Sequence, residues 1–163
     1  MSQPDPTAEI LRKTREMLAT TNRGLADLRD ADPAVHAMGI YNVAVFGRSV
    51  TLVLQKMSSV EPGFDEWYAP YRTAMAADEL MRYFIGLRNE ILKEGPPSSM
   101  GGSTYIEHLH GMRVTVSVLL PDPPGEHAGR VLELHERSIA ALCRLYVDYL
   151  ERVVADAESH FAS

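Results

Sequence analysis

The sequence is short of cysteine and of lysine. Cys143 is its single cysteine, which excludes an internal disulfide and a cysteine-built zinc site. A lone cysteine on an apolar helical stripe reads as a small buried hydrophobe rather than a nucleophile. Lysine occurs 3 times against 13 arginines, and the formal net charge is −6. That balance opposes non-specific binding to DNA or other polyphosphates, which needs clustered cations to displace counterions. The arginine bias leaves room for a small site built from a few directed guanidinium groups, and a GC-rich genome also produces it.

No run of about 18 apolar residues stands out, and Met1 to Glu9 is polar, without a signal-peptide core. The expectation is a cytoplasmic protein with no membrane partner. There is no phosphate-cradling glycine loop, Ser-His-Asp signature or dinucleotide fingerprint, so most common enzyme classes lose support. No cofactor and no metal are expected.

What is present is an ordinary globular composition, 45% hydrophobic and 23% charged, over 163 residues. A chain of this size buries about two-thirds of its unfolded surface, so a single domain over residues 1–163 is expected. Ile10, Leu11, Thr14, Met17, Leu18, Thr21, Leu25 and Leu28 recur at helical spacing, which predicts a first helix to about Ala31, with Thr7 as its cap. Asp32-Pro33 pairs a capping residue with proline at the first helical position, and Val35 to Met57 then predicts an apolar second helix, antiparallel to the first. Pro62-Gly63 marks a loop, and Asp65 is the expected cap of a third helix from about Glu66 to Glu94. Pro70 falls early in it, either splitting off a leading turn or sitting where a lost donor is tolerated. Gly95-Pro96-Pro97 is the expected stop.

Val114, Val116 and Val118 alternate with polar residues, the period of a half-buried strand. With Thr104 to Leu109 they predict a short hairpin within about residues 98–124, and Glu126 to Ser159 predicts the fourth long helix. The expected fold is therefore mainly α: a four-helix bundle with a β-hairpin inserted between helices three and four.

On helix three, Ala77, Leu80, Met81, Phe84, Leu87 and Ile91 form an apolar stripe, and Arg88 falls on it. A guanidinium on the core side requires an anionic or multiply hydrogen-bonding partner, because an unpaired buried charge costs several kcal/mol. That partner is a ligand, another chain, or a carboxylate such as Glu133 or Glu136 on the neighbouring helix. Arg82, Asn89 and Lys93 lie along an adjacent face and would make the surroundings of Arg88 electropositive.

The stretch Leu87-Arg88-Asn89-Glu90-Ile91-Leu92-Lys93 resembles the RNxxxH segment of HEPN-domain proteins. The resemblance implies a helical bundle, usually a homodimer, in which Arg and His form a metal-independent RNA-cleaving site. It carries Arg88 and Asn89 over directly and sets Lys93 at the place of the family's histidine, where a lysine would need its pKa lowered by roughly three units to act as a base at neutral pH. The implied function is a bacterial protein of toxin, defence or RNA-processing type, binding RNA or nucleotide phosphate, with a cognate protein partner in reach of the same class. The competing reading is a non-catalytic dimeric module in which Arg88 is an internal ion-pair anchor.

Two further groups enter the candidate site. His108 and His110 flank the hairpin turn, where they are either surface histidines or substitutes for the missing one, delivered to Arg88. Phe64, Trp67, Tyr68 and Tyr71 form an aromatic cluster with two readings, a surface that stacks a base or a staple that fixes a helix start onto the core, and the core role is the expected one. Arg130 and His135 repeat the bare Arg-x4-His spacing, a match of the kind expected by chance.

Overall fold

The computed structural model describes residues 5–94, 100–109, 112–121 and 139–162. Its elements, in chain order, are α1 (Pro6–Asp27), α2 (Pro33–Leu54), a 3-10 turn (Gln55–Ser59), α3 (Phe64–Ala77), α4 (Glu79–Glu94), the strands β1 (Met100–Leu109) and β2 (Met112–Pro121), and α5 (Ile139–Phe161). The fold is mainly helical and its helices pack as a bundle.

The first two helices start alike. Asp5 and Asp32 each accept a hydrogen bond from the amide two residues on, and each is followed by proline, which has no amide to leave unpaired. The expected Asp32-Pro33 start is thus in place. Thr7 is not the cap of α1: Asp5 takes that role, and the Thr7 hydroxyl instead donates to Glu61 Oε1 at 2.6 Å.

Leu11 near the start of α1 packs in one cluster with Leu54 and Met57 beyond the end of α2, while Gly24 meets Gly39 near the other ends. The two helices are therefore antiparallel. Arg15 pairs with Glu158 and Asn22 with Glu151, so α5 also runs antiparallel to α1. Ala34–Ser59 is long and apolar enough to cross a membrane by length and composition, and 44% of its most apolar 18-residue window is buried within the fold. It is the central helix of the bundle, contacted by α1, α4 and α5.

The third expected helix proves to be two. Asp78 adopts extended backbone angles (φ −81°, ψ 123°) and ends α3, and its carboxylate accepts from the Met81 amide to open α4. An aspartate that captures its own downstream amide competes with helix continuation. The cap of α3 is Gly63, with φ of 86°, rather than Asp65, which accepts from the Ser58 hydroxyl instead. Only glycine enters that region freely. Pro70 lies within α3 without breaking it; its position is exposed, so water can satisfy the carbonyl that loses its donor.

β1 and β2 pair antiparallel, from Met100 opposite Pro121 to Leu109 opposite Met112. The class of the fold is set by the helices and not by this ladder. The expected helix stop at Gly95-Pro96-Pro97 and the start of the fourth long helix near Glu126 lie outside the described residues.

The aromatic cluster has the stapling role expected of it. Phe64 and Tyr68 are fully buried and stacked at 5.3 Å, and Phe161 of α5 closes on Phe64 and Trp67. Higher in the bundle, Tyr146 stacks flat on Phe84 at 4.2 Å and Cys143 is buried beside it.

Candidate functional site

The Arg88 region is less enclosed than its stripe implies. Met81, Phe84 and Leu87 are buried, but Arg88 is only half-buried, at the edge of the apolar face. Its Nη1 donates to Oδ1 of Asn89 at 2.9 Å. Asn89, Lys93 and Arg82 are exposed, and Lys93 occupies the last turn of α4, where a cation is favoured by the helix dipole. Glu133 and Glu136, His110, and the Arg130 to His135 string lie outside the described residues, as does the side chain of His108.

Arg82 leads to a second and better-formed arrangement. A cavity of about 290 Å³ lies among four helices, each contributing residues at helical spacing. From α2 and its extension come Arg48, Thr51 and Gln55; from α3, Tyr68, Arg72, Met75 and Ala76; from α4, Met81, Arg82 and Ile85; from α5, Tyr146 and Leu150. Among the described residues, three arginines line it and no carboxylate does. In a chain whose net charge is −6, that local excess is a departure from the whole.

The cavity has a floor and a rim. Tyr68, Thr51, Met81, Tyr146 and Leu150 are buried, whereas the Arg72 and Arg82 side chains are 61% and 42% exposed. Arg48 lies between, half-buried, and its Nη1 donates to Thr51 Oγ1 at 2.8 Å. Arg72 reaches Asp65 only at 3.9 Å and Arg82 reaches Glu79 only at 4.0 Å. Exposed pairs this long are worth little, so both guanidinium groups keep capacity for another anion.

The Tyr68 hydroxyl is buried in the floor without a hydrogen-bond partner among the described residues. Leaving such a group unpaired costs about 1–3 kcal/mol. Burial pushes the Tyr68 phenol above its ordinary pKa, an effect that the nearby Arg48 and Arg72 charges and the approach of Gln55 oppose. Burial likewise raises Tyr146, again with Arg48 opposing. Both phenols are neutral at physiological pH, available as hydrogen-bond donors and not as bases. Among the described residues, no three His, Cys, Asp or Glu side chains gather as metal ligands.

Of this cavity the sequence reading placed only Arg82 in the candidate site, with Tyr68 in the aromatic cluster and Met81 on the helix-three stripe. Arg48 carried a usable signal: it is the one residue among Asp, Glu, Lys and Arg in the whole of Ala34 to Leu54, so the reasoning that singled out Arg88 on its stripe applied to it with more force. Arg72 carried no such mark and Tyr68 stood out only as one of the aromatic cluster, because nothing local in the sequence announces the break at Asp78 that ends α3.

Fold and cavity together define a helical bundle with an arginine-lined pocket. A family model described as bacteriophage lambda protein ea47 matches residues 25–99. That span is somewhat under half of the chain and holds Arg48, Tyr68, Arg72, Arg82 and Arg88, but not Tyr146 or Leu150 of α5. No curated protein matches the chain, and no solved structure does.

Proposed function

We propose that this is a HEPN-like cytoplasmic protein that binds RNA or a nucleotide through its phosphate. The observation that carries the reading is the convergence of Arg48, Arg72 and Arg82 on one cavity with no carboxylate among the described residues of its lining. Arginine suits the task because its planar fork meets phosphate oxygens in pairs and keeps its charge when partly desolvated. Arg88, oriented by Asn89, and Lys93 extend the contact along α4 to a neighbouring phosphate. Lys93 neutralises charge there without transferring a proton, so the assigned function is binding rather than cleavage. The 98–124 insertion is taken as a hairpin arm beside the bundle, with His108 and His110 as its contacts to the same ligand.

The test is equilibrium binding of a short labelled single-stranded RNA, and of mononucleotides, at low salt. Arg48→Ala and Arg82→Ala should each weaken binding about tenfold or more while leaving the melting temperature close to wild type. Absence of binding at low salt, or binding indifferent to both variants, would overturn the reading. Incubation of the same RNA with the wild type, followed on a denaturing gel, decides between binding and a surviving ribonuclease activity.

A dimeric interaction module is the second reading, favoured by a specific feature of α2. Met38 and Leu52 are exposed on its outer side, fourteen residues apart and nearly in line, with half-buried Val45 between them. A homodimer that covers this stripe would lose mass in light scattering on Met38→Glu or Leu52→Glu, and a wild type that is monomeric at high concentration would sink the idea.

A further inference from the structure

We propose that the cavity takes one nucleotide base-first: a flat ring seated on the buried floor against Tyr68 and Tyr146, and its phosphate held at the rim by Arg72 and Arg82. This rests on the phosphate-binding reading and adds the other half of the ligand.

The argument is one of matching a gradient. At the rim the groups are cationic and solvated. On the floor, Met81, Tyr146 and Leu150 supply apolar surface, with Met75 and Ile85 on the walls. Inorganic phosphate would satisfy the guanidinium groups and leave the floor without a partner. A purely apolar molecule would fill the floor and leave the arginines and the Tyr68 hydroxyl unmet. A ligand that meets both is a ring with a hydrogen-bonding edge, joined through a short spacer to an anionic group.

Tyr68 sharpens this to a heterocycle. Its hydroxyl is buried, 1% exposed as a residue, and among the described residues Gln55 approaches it without completing a hydrogen bond. An edge nitrogen or carbonyl oxygen of a nucleobase supplies one, which a benzene-like ring does not. Methionine at 75 and 81 suits such a ring, since the thioether is polarizable and packs on aromatic faces. The cavity volume, about 290 Å³, is close to the smallest of sites that enclose small molecules, a size that suits a single ring system. A free mononucleotide and a single unstacked residue of an RNA strand offer the same chemistry.

The experiment titrates the full chain calorimetrically with the four 5′-mononucleotides, with the nucleoside of the best binder, and with ribose 5-phosphate. At least one nucleotide should bind tenfold or more tightly than both ribose 5-phosphate and its own nucleoside. Tyr68→Phe should weaken that nucleotide roughly three- to tenfold, the worth of one neutral hydrogen bond, and leave ribose 5-phosphate unchanged. Ile85→Trp, which fills the wall but keeps every arginine, should abolish the nucleotide's advantage. A short single-stranded RNA and its abasic counterpart serve as the polymer arm: base-dependent binding seen only there supports the proposal and assigns the ligand to a strand. Ribose 5-phosphate binding as tightly as every nucleotide, with Tyr68→Phe and Ile85→Trp without effect, overturns the base-first inference and leaves the phosphate site standing. Failure of every phosphate-bearing ligand, RNA included, removes both.

Discussion

Gly24 and Gly39 touch across the crossing of α1 and α2, so closely that a methyl group on Gly39 would lie 2.6 Å from the Gly24 carbonyl oxygen. A methyl on Gly24 would stand 2.9 Å from the Gly39 carbonyl oxygen and 2.7 Å from Cβ of Asn42. The opposing atoms are largely backbone and cannot swing aside, so the helices themselves must part. Gly39→Ala should therefore destabilise the protein by about 1–3 kcal/mol, the usual cost of overpacking, even though alanine gains up to about 1 kcal/mol of helix propensity. Chemical denaturation measures it; a variant as stable as wild type would mean that the crossing is looser than the contact implies.

The break at Asp78 leads to a second prediction. Its carboxylate accepts from the Met81 amide at 3.1 Å, and the loss of an N-terminal cap typically costs about 1 kcal/mol. Asp78→Ala should show that loss in urea, while Asp78→Asn, which keeps an accepting oxygen, should recover most of it. Because α4 carries both Arg82 and Arg88, Asp78→Ala should also weaken RNA binding without removing any cation. Equal stability of the alanine and asparagine variants would count against the cap.

The helices were legible because their signals are local. Asp32-Pro33 and the stripe from Ile10 to Leu28 declare themselves within a few residues, and the structure keeps both. The break inside the expected helix from Glu66 to Glu94 is silent in the sequence because Asp78 sits in good helical periodicity: Ala77, Leu80, Met81 and Phe84 keep in step across it, and what stops the helix is one side chain turning onto a backbone amide. Arg88 shows the opposite limit. Its place on the stripe is real, yet only three-dimensional packing tells an edge position from a buried one. The cavity is less legible still, since Arg48 and Arg82 are 34 residues apart and no spacing rule joins them.

Glu9 predicts an acid response. It accepts from Arg12 at 2.7 and 2.8 Å, with Lys13 at 3.1 Å, and these bonds and charges hold its pKa down at about 2 against an ordinary 4.5. The folded protein thus binds its proton later than the unfolded chain does. The resulting stabilisation is complete above about pH 4.5 and is lost as the pH falls toward 2. The two cations are exposed and the Glu9 carboxylate stands at the surface, so the effect is small and screened by salt. In urea titrations between pH 5 and 2, Glu9→Gln should flatten the fall in midpoint at low ionic strength and match wild type at high salt. Parallel curves at both ionic strengths would rule the cluster out as a contributor.

Cys143 should be inert in the native state. The thiol is fully buried beside Tyr146, and burial raises its pKa well above the ordinary range, so almost no thiolate forms at neutral pH. A disulfide exchange reagent should react only as fast as the bundle opens, and at once in strong denaturant. Rapid labelling of the folded protein would show that α5 opens far more readily than its packing suggests.

The salt dependence of binding distinguishes rim from floor. Each guanidinium that neutralises a phosphate releases condensed counterion, so the logarithm of the RNA affinity should fall linearly with the logarithm of salt concentration, by about 0.7 per contact for a single strand. Arg72 and Arg82 stand at the exposed rim, so Arg72→Ala and Arg82→Ala should weaken affinity and also make that slope shallower, each by roughly one contact. Tyr68 carries no charge and lies on the floor, so Tyr68→Phe should lower affinity at every salt concentration and leave the slope alone. Arg48 is the informative case, because it is half-buried and already donates to Thr51. A shallower slope in Arg48→Ala would put it in direct contact with phosphate. An unchanged slope with weaker binding would instead make it a positioning residue, one that holds Thr51 and offsets the effect of burial on the two phenols.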